Sequence, residues 1–192
     1  MLNKDEYFDR LNLELDKETD RSVAIIAVAI IDETLKQLIE IFLIKPKNKE
    51  HCIFSSVNSS LGSLSSKINA SFQFGFISEE MHRDLQLLRK IRNDFAHKPF
   101  DLTFNSDSIK SRVIELDKVS DYISRNPVAR KNTGPIGVRH DFIFSVGWRL
   151  YALQYLLDEI IPLDRKGIEF GYFDFDKLPE QVRELIVHRS KT

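Results

Sequence analysis

Apolar residues recur at helical spacing along most of this chain, and the strongest run lies between Asp20 and Ile44. There Val23, Ile26, Ala27, Ile30, Ile31, Leu35, Leu38, Ile39 and Phe42 form a broad apolar face with a period near 3.6 residues, the pattern of an amphipathic helix. Thr19 or Asp20 supplies an N-cap, and Pro46 supplies a stop. The first half of the run is apolar almost all round, which predicts a helix at the centre of a bundle. Before it, Tyr7, Phe8, Leu11 and Leu15 give residues 3–16 the spacing of a charged amphipathic helix. After it, residues 45–60 read as a polar loop rich in Lys, Asn and Ser.

Further helices follow. Leu64, Ile68 and Phe72 are spaced by four within a short helix from Leu61 to Phe74, and Gly75 is placed to cap its end. Ser78 begins another, with Glu79 and Glu80 in the first turn where acids suit the helix dipole. Its inward stripe is Met81, Leu85, Leu88, Ile91 and Phe95, and Pro99 stops it. Phe100 to Ser106 is a short connection read as extended. Ser108 to Ser124 is helical by the stripe Ile109, Val113, Leu116, Val119 and Ile123. Residues 125–137, with Asn126-Pro127 and Gly134-Pro135, read as an exposed basic linker. A helix from Val138 to Ile161 carries Trp148 and ends at Pro162; the tail holds Phe170-Gly171-Tyr172-Phe173 and a last helix from Pro179 to His188.

These elements predict an all-α protein, an irregular helical bundle of about five to seven helices. The expected organisation is a helical core over residues 1–124, the linker at 125–137, and a C-terminal helical extension over 138–192 packed on that core. No internal repeat, heptad array or low-complexity segment is visible.

Composition narrows the function classes. The chain has 192 residues, 42% apolar and 30% charged, which suffices for a substantial core without disulfides or metals. Its net charge of −1 means that any contact with phosphates must come from a local patch. Cys52 is the single cysteine, so no intramolecular disulfide can form. Residues 1–19 are charged throughout, without the apolar stretch of a secretory leader, and a reducing cytoplasm is expected. The most apolar stretch, Val23 to Ile31, is too short to span a bilayer.

Candidate chemistry concentrates in Arg92-Asn93-Asp94-Phe95-Ala96-His97. Arginine is a permanent cation whose forked donors suit phosphate, and histidine moves protons near neutral pH. Five residues apart on an ideal helix, Arg92 and His97 diverge by about 140°. Three arrangements reconcile them: the helix frays before Pro99, the two serve different contacts, or a second copy across a two-fold axis completes one cleft. A structural alternative stands beside these. Arg92 or Arg89 would pair with Asp32 or Glu33 on the long helix, and His97 would sit on the negative end of its own helix dipole.

The segment Leu87-Leu88-Arg89-Lys90-Ile91-Arg92-Asn93-Asp94-Phe95-Ala96-His97 resembles the signature of the mannitol operon repressor (MltR-like) family, bacterial helical regulators. Two more blocks agree in order: Asp20-Arg21-Ser22-Val23-Ala24-Ile25-Ile26 with Ile31-Asp32-Glu33-Thr34-Leu35, and Leu61-Gly62-Ser63-Leu64-Ser65-Ser66-Lys67-Ile68 with Gly75-Phe76-Ile77-Ser78-Glu79-Glu80. The resemblance covers about residues 18–124 and implies a helical regulator that controls gene expression through protein partners, or through weak nucleic-acid contacts. The Arg-Asn-x-x-x-His pattern is also similar to that of HEPN domains, many of which are metal-independent dimeric endoribonucleases. That likeness implies roles for three residues. His97 would act on the RNA 2′-hydroxyl or the leaving oxygen, Arg92 would stabilise phosphate charge, and Asn93 would orient the phosphate or the imidazole.

Arg125, Arg130, Lys131, Arg139 and His140 form a basic cluster near the linker, and the candidate nucleic-acid contacts are Arg89, Lys98, Arg130, Lys131 and Arg139. The histidines, His51, His82, His97, His140 and His188, lack zinc-site spacing, so no metal and no cofactor is expected. The chain carries no phosphate-binding loop, dinucleotide fingerprint, hydrolase elbow or convincing helix-turn-helix. The expected partners are a second copy, another protein and RNA, with no membrane. The favoured function class is a non-enzymatic regulator, and the alternative is a HEPN-type metal-independent endoribonuclease, a toxin or defence effector.

Overall fold

The computed structural model of the chain describes residues 11, 13–45, 53–54, 56, 59–98, 102–116, 137–163, 179–181 and 183–184. These residues form helices and turns, with no strand among them. The principal helices are α1 (Asp20–Phe42), α2 (Leu64–Gln73), α3 (Glu79–His97), α4 (Asp107–Glu115) and α5 (Val138–Glu159). Met1–Pro162 makes one compact unit and Leu163–Thr192 a second. Of the second, residues 180–181 and 183–184 are helical, and the Arg183 amide donates to the Pro179 carbonyl at 3.1 Å. Residues 3–10, the cations Arg125, Arg130 and Lys131, and the aromatic stretch 170–173 lie outside the described residues.

Helix α1 is the axis of the first unit and packs against α5, α3 and α2; α4 bridges α3 and α5. Its inward residues Val23, Ala27, Ile31, Leu35 and Leu38 join Leu88, Ile91 and Phe95 of α3 and Phe142, Val146 and Leu150 of α5 in one core. Each large side chain buried there contributes about 1.5–3 kcal/mol. The expected central position of α1 agrees with its packing against three helices, but Ile26, expected on its inward face, and Ile25 are exposed. Three packed neighbours cover only part of a helix circumference, and composition cannot say which part.

Local chemistry sets the helix ends. Thr19 caps α1, its hydroxyl accepting from the Ser22 amide at 3.2 Å. Helix α2 starts at Leu64, three residues later than expected, because Ser63 and Ser66 form a reciprocal capping box. It ends in a Schellman motif: Gly75 takes φ 76°, the Phe76 amide donates to Ser71 and the Gly75 amide to Phe72, both at 2.9 Å. Ser78 caps α3 by accepting from Met81 at 3.2 Å. Glu80 in that first turn accepts from its own amide and from Ser78, and these bonds hold its carboxyl below the ordinary range.

Of the connection expected to be extended, Phe100 to Ser106, the described residues 103–106 form a turn. Ser106 donates its amide to the Thr103 carbonyl at 3.1 Å, and the Thr103 amide donates to the Ser106 hydroxyl at 3.0 Å. The turn drives Phe104 into the core between Phe95 and Phe142, with ring centroids 5.2 and 4.9 Å away. Helix α4 stops at Glu115, earlier than expected, where Leu116 adopts an extended conformation yet stays buried.

Candidate functional site

The C-terminal turns of α3 are held from two sides. Arg21 of α1 donates through Nη1 to the Phe95 carbonyl and through Nη2 to the Lys98 carbonyl at 2.5 Å. These are the carbonyls that a helix end leaves without internal partners, and a guanidinium there also meets the negative end of the dipole. Arg112 of α4 pairs with Asp94, and the Lys98 ammonium lies 3.9 Å from the same carboxylate. The helix therefore runs unbroken through His97, with Lys98 as its cap. Fraying before Pro99 does not occur.

On this intact helix the three candidate residues separate. Asn93 and His97, four apart, share the outer face, His97 exposed and Asn93 half-buried. Arg92 is half-buried and turned about 140° from His97. A single chain thus does not bring Arg92 and His97 onto one ligand from one face. Arg92 makes no hydrogen bond or ion pair among the described residues.

The expected pairing of Arg92 or Arg89 with the acids of α1 is corrected. Asp32 is taken by Lys67 of α2, whose almost fully buried ammonium sits 2.7 Å from Oδ1. Glu33 faces outward and pairs with Lys36 at 3.4 Å. Arg89 donates instead to Gln86 at 2.8 Å. Gln86 and His82 both approach the Asn69 side-chain oxygen of α2, at 3.0 and 2.9 Å. Lys67 of the neighbouring α2 reaches Asp32, and Arg89 is held by Gln86 on its own helix.

Arg139 is likewise no free cation. It donates to Asp20 at 2.6 Å and to the carbonyls of Leu15 and Glu18 at 2.9 and 2.6 Å, joining the start of α5 to the approach to α1. Lys98 and His140 are exposed. Sequence reasoning missed Arg21, Arg112 and the buried pair Asp84–Arg149 between α3 and α5. Only contacts between distant segments reveal them. Among the described residues no cluster of three His, Cys, Asp or Glu is placed to hold a metal. No helix among them is long and apolar enough to cross a membrane.

No family model and no curated protein matches the chain. A solved structure does. A chain of the MtlR–HPr complex from Escherichia coli superposes with a TM-score of 0.54 and 20% sequence identity, over 78% of this chain and 97% of that one. The fold is MtlR-like. At this identity the likeness concerns architecture alone. Its coverage is wider than residues 18–124, and the short segment before them cannot make up the difference. The MtlR-like fold therefore extends past residue 124, in keeping with the central packing of α5 against α1.

Proposed function

We propose that this chain is a helical regulatory protein of the mannitol operon repressor type, acting in control of gene expression through contacts with a partner protein or weakly with nucleic acid. The observation that carries this reading is the MtlR-like architecture across nearly the whole length of the matched chain. MtlR was solved together with HPr, which supports a protein partner of that class here. The three ordered blocks of sequence resemblance support it too. The α3 terminus is fastened by Arg21 and Arg112 and offers a rigid outer face bearing Asn93, His97 and Lys98. A rigid exposed helix face suits docking without ordering costs. A reducing cytoplasm, consistent with Cys52 as the single cysteine, and action without a cofactor belong to the same reading.

Calorimetric titration with HPr from the same host tests it. Saturable binding that weakens when His97 or Lys98 is replaced by Glu is the expected result. Absence of heat and of any co-migration at micromolar protein would overturn the HPr-type contact.

One observation favours the second reading, a HEPN-type metal-independent endoribonuclease. Arg92 has no partner among the described residues while His97 is exposed. In that reading His97 moves the proton of the attacking 2′-hydroxyl or of the leaving oxygen, Arg92 stabilises the charge gathering on the phosphate, and Asn93 orients the group. The divergence of Arg92 and His97 then demands a second copy at the cleft. Because one chain alone does not assemble the pair, the regulatory reading is preferred.

A further inference from the structure

Arg89 is one end of a hydrogen-bonded chain that crosses the seam between α2 and α3. Its Nε donates to Gln86 Oε1 at 2.8 Å, Gln86 Nε2 donates to Asn69 Oδ1 at 3.0 Å, and His82 Nε2 lies 2.9 Å from the same oxygen. An arginine can only donate, so the polarity of the whole chain is set from this end. Gln86 must offer its oxygen to Arg89 and therefore its nitrogen to Asn69. Asn69 must then offer its oxygen, and His82 must carry a proton on Nε2. The His82 ring packs against Phe72, with centroids 5.0 Å apart, so the far end of the chain is held as well. The chain fixes the plane of the Arg89 guanidinium and leaves both of its terminal nitrogens without a partner among the described residues.

Arg92 and Asn93 follow Arg89 at i+3 and i+4, which makes the three side chains neighbours on the helix surface. All three are half-buried, and Lys90 and His97 beside them are exposed. The acids that could neutralise the two arginines are engaged elsewhere. Asp32 pairs with Lys67, Glu33 with Lys36, Asp84 with Arg149 and Asp94 with Arg112. Like charges one turn apart repel, and a partly buried cation without a counter-ion is unfavourable. An oxyanion lying between the two forks reverses both effects.

We propose that Arg89, Arg92 and Asn93 form a receptor for a carboxylate on the partner protein, with Gln86 and Asn69 as positioning residues that hold Arg89 ready. The inference deepens the regulatory reading and rests on it, naming an acidic protein surface as what the α3 face takes. Arginine is also among the residues that dominate binding energy at protein interfaces. Two observations favour a carboxylate over the phosphates of RNA. Helix α3 carries no Tyr or Trp, and its single Phe, Phe95, is fully buried. The face therefore lacks the aromatic platform on which single-stranded RNA stacks. Arg112 is paired with Asp94 and Arg139 with Asp20, so among the described residues neither extends the site into a track of free cations along a nucleic-acid backbone.

The probe is a fluorescein-labelled octaglutamate peptide, followed by anisotropy against the full chain, with octauridylate carrying the same label as the competing class. Saturable octaglutamate binding that weakens with added salt, and is tighter than octauridylate binding, is the expected result. Arg89→Gln and Arg92→Gln should each weaken it about tenfold and keep the helical circular dichroism. Lys110→Gln, an equal loss of charge at an exposed position of α4, should leave it unchanged. Gln86→Leu removes the acceptor while keeping the bulk of the side chain. It should weaken binding about threefold by releasing the guanidinium, and the Arg89 Nε proton should then exchange rapidly with water in nuclear magnetic resonance spectra. Absence of octaglutamate binding would overturn the proposal. So would binding that Arg89→Gln and Arg92→Gln leave intact, or tighter octauridylate binding that the same variants abolish. Titration with HPr separates this inference from the function it rests on. HPr bound equally by wild type and by both variants would overturn the carboxylate receptor alone, whereas octaglutamate binding without HPr binding would support the receptor and overturn only the HPr-type contact.

Discussion

Cations that look alike in the sequence divide sharply once folded. Arg139 belongs to a basic cluster by composition, yet its guanidinium joins segments 119 residues apart. Arg21 reaches carbonyls 74 and 77 residues away, and Arg149 reaches Asp84 across 65. No local pattern separates such residues from Arg92, because side-chain length and charge are the same and only the distant partner differs. Arg139→Ala should therefore lower stability by about 1–3 kcal/mol, the scale of hydrogen bonds to charged groups, and leave RNA affinity unchanged. Urea unfolding beside an RNA-binding assay checks both halves. The Asp84–Arg149 pair is almost fully buried, at 1% and 5% side-chain exposure. Asp84→Ala would strand a buried guanidinium and should cost about 3–5 kcal/mol, while Asp84→Leu combined with Arg149→Met should recover much of the loss. Equal losses in the single and double variants, measured by urea midpoint, would show that the pair is not the source.

Several helix caps were legible, because capping is written in adjacent residues. Thr19, Ser78 and Gly75 all act where the sequence places them. Ser63 went unread because Leu61 already looked apolar enough to open α2. Ser63→Ala removes the hydroxyl that accepts from the Ser66 amide and should cost about 1 kcal/mol, visible as a lowered thermal midpoint. Glu80 adds a pH dependence of known sign. Its folded carboxyl titrates below its unfolded value, so its contribution is complete above the ordinary carboxylate range and is lost as pH falls through the depressed one. Glu80→Gln should flatten the acid side of a plot of thermal midpoint against pH. An unchanged slope would remove Glu80 from the cause. What periodicity could not show was which side of α5 packs inward, since apolar residues lie on two sides of it, and the turn at 103–106, where one buried phenylalanine outweighs an apparently extended run.

At the scale of the molecule, an all-helical bundle was readable from spacing alone, and its likeness to MtlR from three ordered blocks. The arrangement at the candidate site was not, since it depends on whether α3 frays. Arg21 and Arg112 keep that helix intact through His97, and an intact helix holds His97 away from Arg92. Rigidity at that point favours a docking face over a catalytic pair within one chain. The decisive measurement is incubation of mixed RNA with the purified chain in EDTA, beside Arg92→Ala and His97→Ala. A regulatory protein of this kind leaves the RNA intact in all three samples. Cleavage by the wild type that survives EDTA and disappears in both variants would contradict it and establish an endoribonuclease.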